Sequence, residues 1–94
     1  MSETEIIKLP NRFDYGTHRA FTENSTNAMN APDVGEIILD FSLVEYLDSS
    51  ALGMMVLFQK KALDKKIKVK IKGAKGATGD ILDMANMQKM FDFI

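Results

Sequence analysis

Glu36-Ile37-Ile38-Leu39-Asp40-Phe41, then a short connection over residues 42–47, then Asp48-Ser49-Ser50-Ala51-Leu52-Gly53 opening a long apolar stretch: this part of the chain decides the fold. The first six residues are a nearly continuous apolar run, the pattern of a central strand buried in a sheet. From Ser49 to about Lys66 the spacing turns helical. Leu52, Met55, Val56 and Leu63 fall on one stripe, and Met54, Leu57 and Phe58 widen it almost to the full circumference. A helix so apolar in its first half packs against a sheet.

Upstream, Glu5–Leu9 reads as a short strand stopped by Pro10, and residues 11–16 as a turn. Thr17 reads as the N-cap of a helix running to about Met29, with Ala20, Phe21, Ala28 and Met29 facing inward. Its asparagines, serines and threonines are poor helix formers, so tertiary packing must hold it. Residues 30–35, with Pro32 and Asp33, form a linker. Downstream, Ile67–Lys72 alternates strictly, with Ile67, Val69 and Ile71 on one face and lysines on the other, which predicts a half-exposed strand. Gly73–Gly79 reads as a glycine-rich connection, and Asp80–Ala85 as a short helix with Asn86 a left-handed C-cap. Met87, Met90, Phe91, Phe93 and Ile94 end the chain with apolar residues that need a surface to pack on. Strands alternating with helices predict an α/β domain: a small mixed sheet, largely parallel, with helices packed on it.

Composition narrows the function classes. Ninety-four residues suffice for one domain, and a hydrophobic fraction of 46% is that of a globular chain. Twelve basic residues against thirteen acidic ones give a formal net charge of -1, so overall charge does not argue for nucleic acid. No cysteine is present, which excludes disulfides, thiolate catalysis and cysteine-ligated metals. A single histidine, His18, excludes a multi-histidine metal site and reads as an exposed helix residue. The acidic start lacks the pattern of an export signal, and the apolar run from Ala51 to Phe58 is far short of the ~20 residues a membrane helix requires, so a cytoplasmic location without membrane insertion is expected. Eight of the twelve basic residues lie between Lys60 and Lys75. Aromatic platforms for single strands are missing there, and lysines that complement a helix C-terminus and solvate a strand face are the simpler reading. The methionines read as core filler, with the Met84–Met90 group a secondary candidate interface. Asp40 at a strand end has no early acidic pair to form a phosphoaspartate site. The Gly73–Gly79 run lacks the Gly-Lys-Ser/Thr ending of a nucleotide loop.

Chemistry concentrates at Asp48-Ser49-Ser50. These residues sit where a loop feeds a buried helix, and the unpaired N–H groups and dipole of a helix N-terminus favour an anion. Two readings fit. Asp48 and the serines can simply cap the helix. Alternatively, a phosphate on Ser49 would add ≈ −1.5 to −2 charges beside Asp48, Asp40 and Asp14, which suits a switch better than a permanent anion site.

The segment Tyr46-Leu47-Asp48-Ser49-Ser50-Ala51-Leu52-Gly53, following Ile37-Ile38-Leu39-Asp40-Phe41, resembles the signature of STAS domains, and most closely that of bacterial anti-sigma factor antagonists. Leu9–Thr17 and the stretch from Asp80 to Phe91 resemble the family's early turn and closing helix. The resemblance implies a binding module and not an enzyme, with no cofactor of its own. Ser49 would be the phosphorylated residue, with Asp14, Asp48 and Ser50 around it. Asp48, Ser49, Ser50, Ala51, Leu52 and Gly53 would form the partner surface. The implied partners are an anti-sigma factor that is also a serine kinase, which binds the unphosphorylated form and so frees the sigma factor, and a PPM-type serine phosphatase that restores binding. A monomer is expected when unbound. STAS-like accessory subunits of ABC lipid-transport complexes, which bind an ATPase without a phosphorylation cycle, are the alternative the resemblance leaves.

Overall fold

Three parallel crossovers organise the chain. The computed structural model describes residues 3–94. In order come β1 (Glu3–Lys8), β2 (Arg12–Phe13), α1 (His18–Met29), β3 (Val34–Asp40), β4 (Tyr46–Leu47), α2 (Ser49–Asp64), β5 (Lys68–Lys72), α3 (Gly76–Met84) and β6 (Asp92–Phe93), with 3-10 turns at Tyr15–Thr17 and Met87–Lys89. The main sheet has the order β1-β3-β5-β6, and β2 pairs separately with β4. All pairings among the described residues are parallel, so the expected mixed sheet is here a parallel one. Because strand order follows chain order and parallel crossovers are right-handed, the three helices fall on one face.

The covered face carries Ile7, Ile37, Leu39, Val69 and Ile71, all buried. The other face stays open, unlike most parallel sheets. Its middle row is Ile6, Ile38, Lys70 and Asp92 in register. Charge suits that face to water: Lys70 Nζ lies 2.7 Å from Glu36 Oε2, and Thr4 Oγ1 donates to Glu36 Oε1 at 3.1 Å. The Lys70 bond holds the Glu36 carboxyl below its ordinary range, and Glu36 holds the Lys70 ammonium above its own.

A chain of rings fixes the helices. Phe13 lies between Phe21 and Phe41, with centroids at 5.1 and 6.1 Å, and Phe21 meets Phe58 edge-on at 5.7 Å. This cluster anchors α1, whose sequence alone would not hold it.

Several boundaries differ from the sequence reading. Ala20 is exposed and Ser25 takes the inward place, giving α1 the buried spacing Phe21, Ser25, Ala28, Met29. On α2 the buried residues are Ala51, Met55, Phe58, Gln59 and Ala62, so Leu57 and Leu63 point outward. Helix α3 starts at Gly76, inside the run read as a connection. Asn86 is left-handed, with φ 61°, directly after the last turn of α3. The apolar tail finds part of its surface within the domain: Met87 and Phe91 are buried, and β6 adds an edge strand beside β5.

Candidate functional site

In open α/β sheets, ligand and partner sites gather at the carboxyl ends of the strands. Two loops converge there in this chain, one after β1 and one after β3. The β2–β4 pairing joins them, with Arg12 opposite Tyr46 and Phe13 opposite Leu47. Asn11 strengthens the junction, since its carbonyl accepts from the N–H groups of Glu45 (2.8 Å) and Tyr46 (3.2 Å) and its side chain donates to Glu45 Oε1 (2.7 Å). Two-residue strands lie below any sequence periodicity, so nothing in the pattern announced this contact.

Asp48 is the N-cap of α2. Its Oδ1 accepts from Ala51 N–H at 2.9 Å, and its Oδ2 accepts from Tyr15 N–H across the two loops at 3.4 Å. The plain capping reading is therefore correct for Asp48. Ser49 and Ser50 occupy the first helical turn with exposed side chains, and no side-chain hydrogen bond holds either hydroxyl among the described residues. Leu52 is half-buried, and Gly53 is exposed with nothing within 4 Å of where a Cβ would stand. Ala51 is fully buried, so its side chain does not belong to the surface the resemblance implied; it serves the site through its N–H group.

Asp14 sits on the facing turn. Thr17 Oγ1 accepts from Asp14 N–H at 3.1 Å and donates to Asp14 O at 2.9 Å, so the threonine hydroxyl closes the 3-10 turn and does not cap α1. Asp14 Oδ2 lies 3.3 Å from Arg12 Nε, and the Arg12 guanidinium lies 4.3 Å from the centroid of the Tyr46 ring. Asp40 is committed elsewhere. Its Oδ1 accepts from Ser42 N–H at 2.9 Å. The Ser42 bonds hold its carboxyl below the usual aspartate range, with Lys72 and Lys8 adding their charge and burial opposing them.

Residues the sequence reading passed over complete the surface. Tyr15 is 72% exposed and stacks on His18 at 5.9 Å, Tyr46 is 44% exposed, and Leu57 is 55% exposed. Ser50, Gly53 and Leu57, at i, i+3 and i+7, share one exposed face of α2. Leu57 was hidden in the sequence because it sits among apolar neighbours that are buried.

Among the described residues, no group of three histidine, aspartate or glutamate side chains could hold a metal ion, and no helix is long and apolar enough to cross a membrane.

Residues 2–94 match the STAS domain family. A STAS-domain containing protein of Pseudomonas aeruginosa is 28% identical over 85 residues, spanning 90% of this chain and 82% of its own. A candidate anti-sigma factor antagonist of Thermotoga maritima shares the fold with a TM-score of 0.80 at 19% identity, over 99% of this chain and 80% of that one. The anti-sigma factor antagonist SpoIIAA, in its unphosphorylated form, matches with a TM-score of 0.75 at 16% identity, over 100% and 81% of the two chains. A sulfate transporter family protein of Wolinella succinogenes matches equally well, with a TM-score of 0.75 at 15% identity over 97% and 78%.

Proposed function

The chain belongs to the STAS domain family, and from that premise we propose that it is a phosphorylation-controlled anti-sigma factor antagonist, a binding module and not an enzyme. One observation carries the reading: Ser49 is exposed in the first turn of α2, directly after the aspartate that caps it. An exposed hydroxyl at that place can enter the active site of a serine kinase without unfolding of the domain. The helix N-terminus tolerates the new phosphate, with a dipole contribution of about 0.3–1 kcal/mol in its favour. Asp48 beside it, with Asp14 on the facing turn, makes the added charge costly to any partner that docks there. The fold survives while the surface becomes far more negative.

In this reading the unphosphorylated form binds an anti-sigma factor that is also the ATP-using serine kinase, and so releases a sigma factor or an equivalent output regulator. A PPM-type phosphatase resets the cycle. Asp48, Ser49, Ser50, Leu52 and Gly53 form the contact, extended by Leu57 and by Tyr15 and Tyr46 on the facing loops. The protein acts in the cytoplasm and is a monomer when unbound.

Phosphate-affinity electrophoresis of the protein from its native cells, wild type beside Ser49→Ala, tests the reading. A retarded band in the wild type that vanishes in the variant is expected. One unshifted band under growth and stress, with kinase and phosphatase levels perturbed, would overturn it.

A further inference from the structure

A cleft of about 490 Å³ lies at the far end of α2, bounded by the last turns of that helix, the start of β5 and the segment leading into β6. Gln59 in its lining is ten residues beyond Ser49, or ~15 Å along the helix, so the cleft is separate from the carboxyl-end site. Three observations single it out. Gln59 is only 8% exposed, and its Nε2 donates to Met90 O. That bond fixes the amide, because the reversed orientation would set two oxygens against each other. Its Oε1 is consequently buried with no partner among the described residues, a condition native structures rarely carry without a reason. Around the cleft stand Lys66, Lys68 and Lys89 against a single acid, Asp92, with Leu63 supplying apolar wall. Finally, Lys66 holds φ 60° just after the end of α2, a left-handed place where glycine is the less strained residue.

We infer that this cleft binds a small organic anion, a carboxylate or a phosphate monoester, whose own N–H or O–H group completes Gln59 Oε1. The lysines hold the charge and the orphan acceptor selects for the donor. Oε1 is covered in the unliganded protein, so binding shifts the cleft wall far enough to expose it.

Titration of the 15N-labelled protein with malate, succinate and glycerol 3-phosphate tests this. Saturable shifts are expected in the Gln59 side-chain amide and the backbone amides of Lys68, Met90 and Phe91, with malate or glycerol 3-phosphate, whichever saturates identifying the anion. Succinate, which lacks the hydroxyl, binds more weakly by about tenfold, the worth of one hydrogen bond. Lys66→Gly weakens binding by about threefold, the worth of one exposed charge contact, while its melting temperature does not fall. Ser49→Ala binds as the wild type does, which keeps this result independent of the phosphorylation reading. Shifts that fail to saturate by about 20 mM, that spread equally over lysines outside the cleft, or that persist unchanged in Lys66→Gly would overturn the inference.

Discussion

At the scale of the residue, Asp48 carries two bonds that separate experimentally. Its Oδ1 caps α2 and its Oδ2 reaches Tyr15 across the loops. Asp48→Ala should lower stability by about 1 kcal/mol in urea unfolding, the usual worth of an N-cap. Asp48→Asn keeps an acceptor and should stay within a few tenths of a kcal/mol of the wild type. A binding defect in the asparagine variant would then report charge, and one in the alanine variant alone would report capping. Asp40 gives a test in pH. Its folded carboxyl titrates below the unfolded value, so its contribution is complete above about pH 4 and is lost as acid takes the pH through the lowered folded value. Asp40→Asn keeps an oxygen for Ser42 N–H but loses the charge, so it should cost about 1 kcal/mol at neutral pH, the gap between a charged and a neutral hydrogen bond. The gap between the two urea midpoints should narrow as the pH falls below about 4, the ordinary aspartate value, and close once it has passed the lowered folded value. At this scale the sequence showed Asp48, Ser49 and Ser50 because cap chemistry is local. It hid Arg12 and Tyr46, which meet through a pairing between segments more than thirty residues apart, and Tyr15, whose N–H reaches Asp48 across the same loops.

Elements were legible where periodicity was long. Strands β3 and β5 and helix α2 lie within a residue or two of their sequence positions, because a continuous apolar run, a strict alternation and a long helical stripe respectively fix them. Helix α3 began four residues earlier than its pattern suggested. A Lys-Gly-Ala-Thr-Gly run reads as flexible, and only the buried Thr78, donating to Val44 O at 3.1 Å, draws it into the helix. Gly73 in the same connection is a true requirement. Its φ is 78°, and a Cβ there would stand 3.1 Å from the Ser42 backbone nitrogen. Gly73→Ala should therefore destabilise by at least about 1 kcal/mol in thermal unfolding. Gly53 in α2 is the opposite case, exposed and with empty space above it. Gly53→Ala should stabilise by about 0.5–1 kcal/mol, the ordinary helix gain, while weakening capture of an anti-sigma partner by the unphosphorylated protein. A variant that is stabilised and binds unchanged would remove Gly53 from the proposed surface.

For the whole molecule, the one-sided sheet follows from strand order, which composition and pattern could not supply. The alternating lysines of β5 marked a solvated face, yet they sit on a central strand and not an edge. The helix-covered core must then be built on one side, and Phe13 is where β2, α1 and the end of β3 meet there. Phe13→Ala should cost about 3–5 kcal/mol, a large share of the ~5–15 kcal/mol a domain possesses, and circular dichroism should show a melting transition many degrees lower. The same residue belongs to the slender β2–β4 ladder, whose two residue pairs are held mainly by their neighbours. Amide protons of that ladder should exchange with solvent through small local openings, long before those of Ile37 or Ile71 at the sheet's centre. With that pattern of exchange, Ser49 would stand at the edge of a region that opens while the sheet beneath it stays shut. A modifying enzyme drawing this serine into its own cleft would work against a local hinge and leave the fold intact.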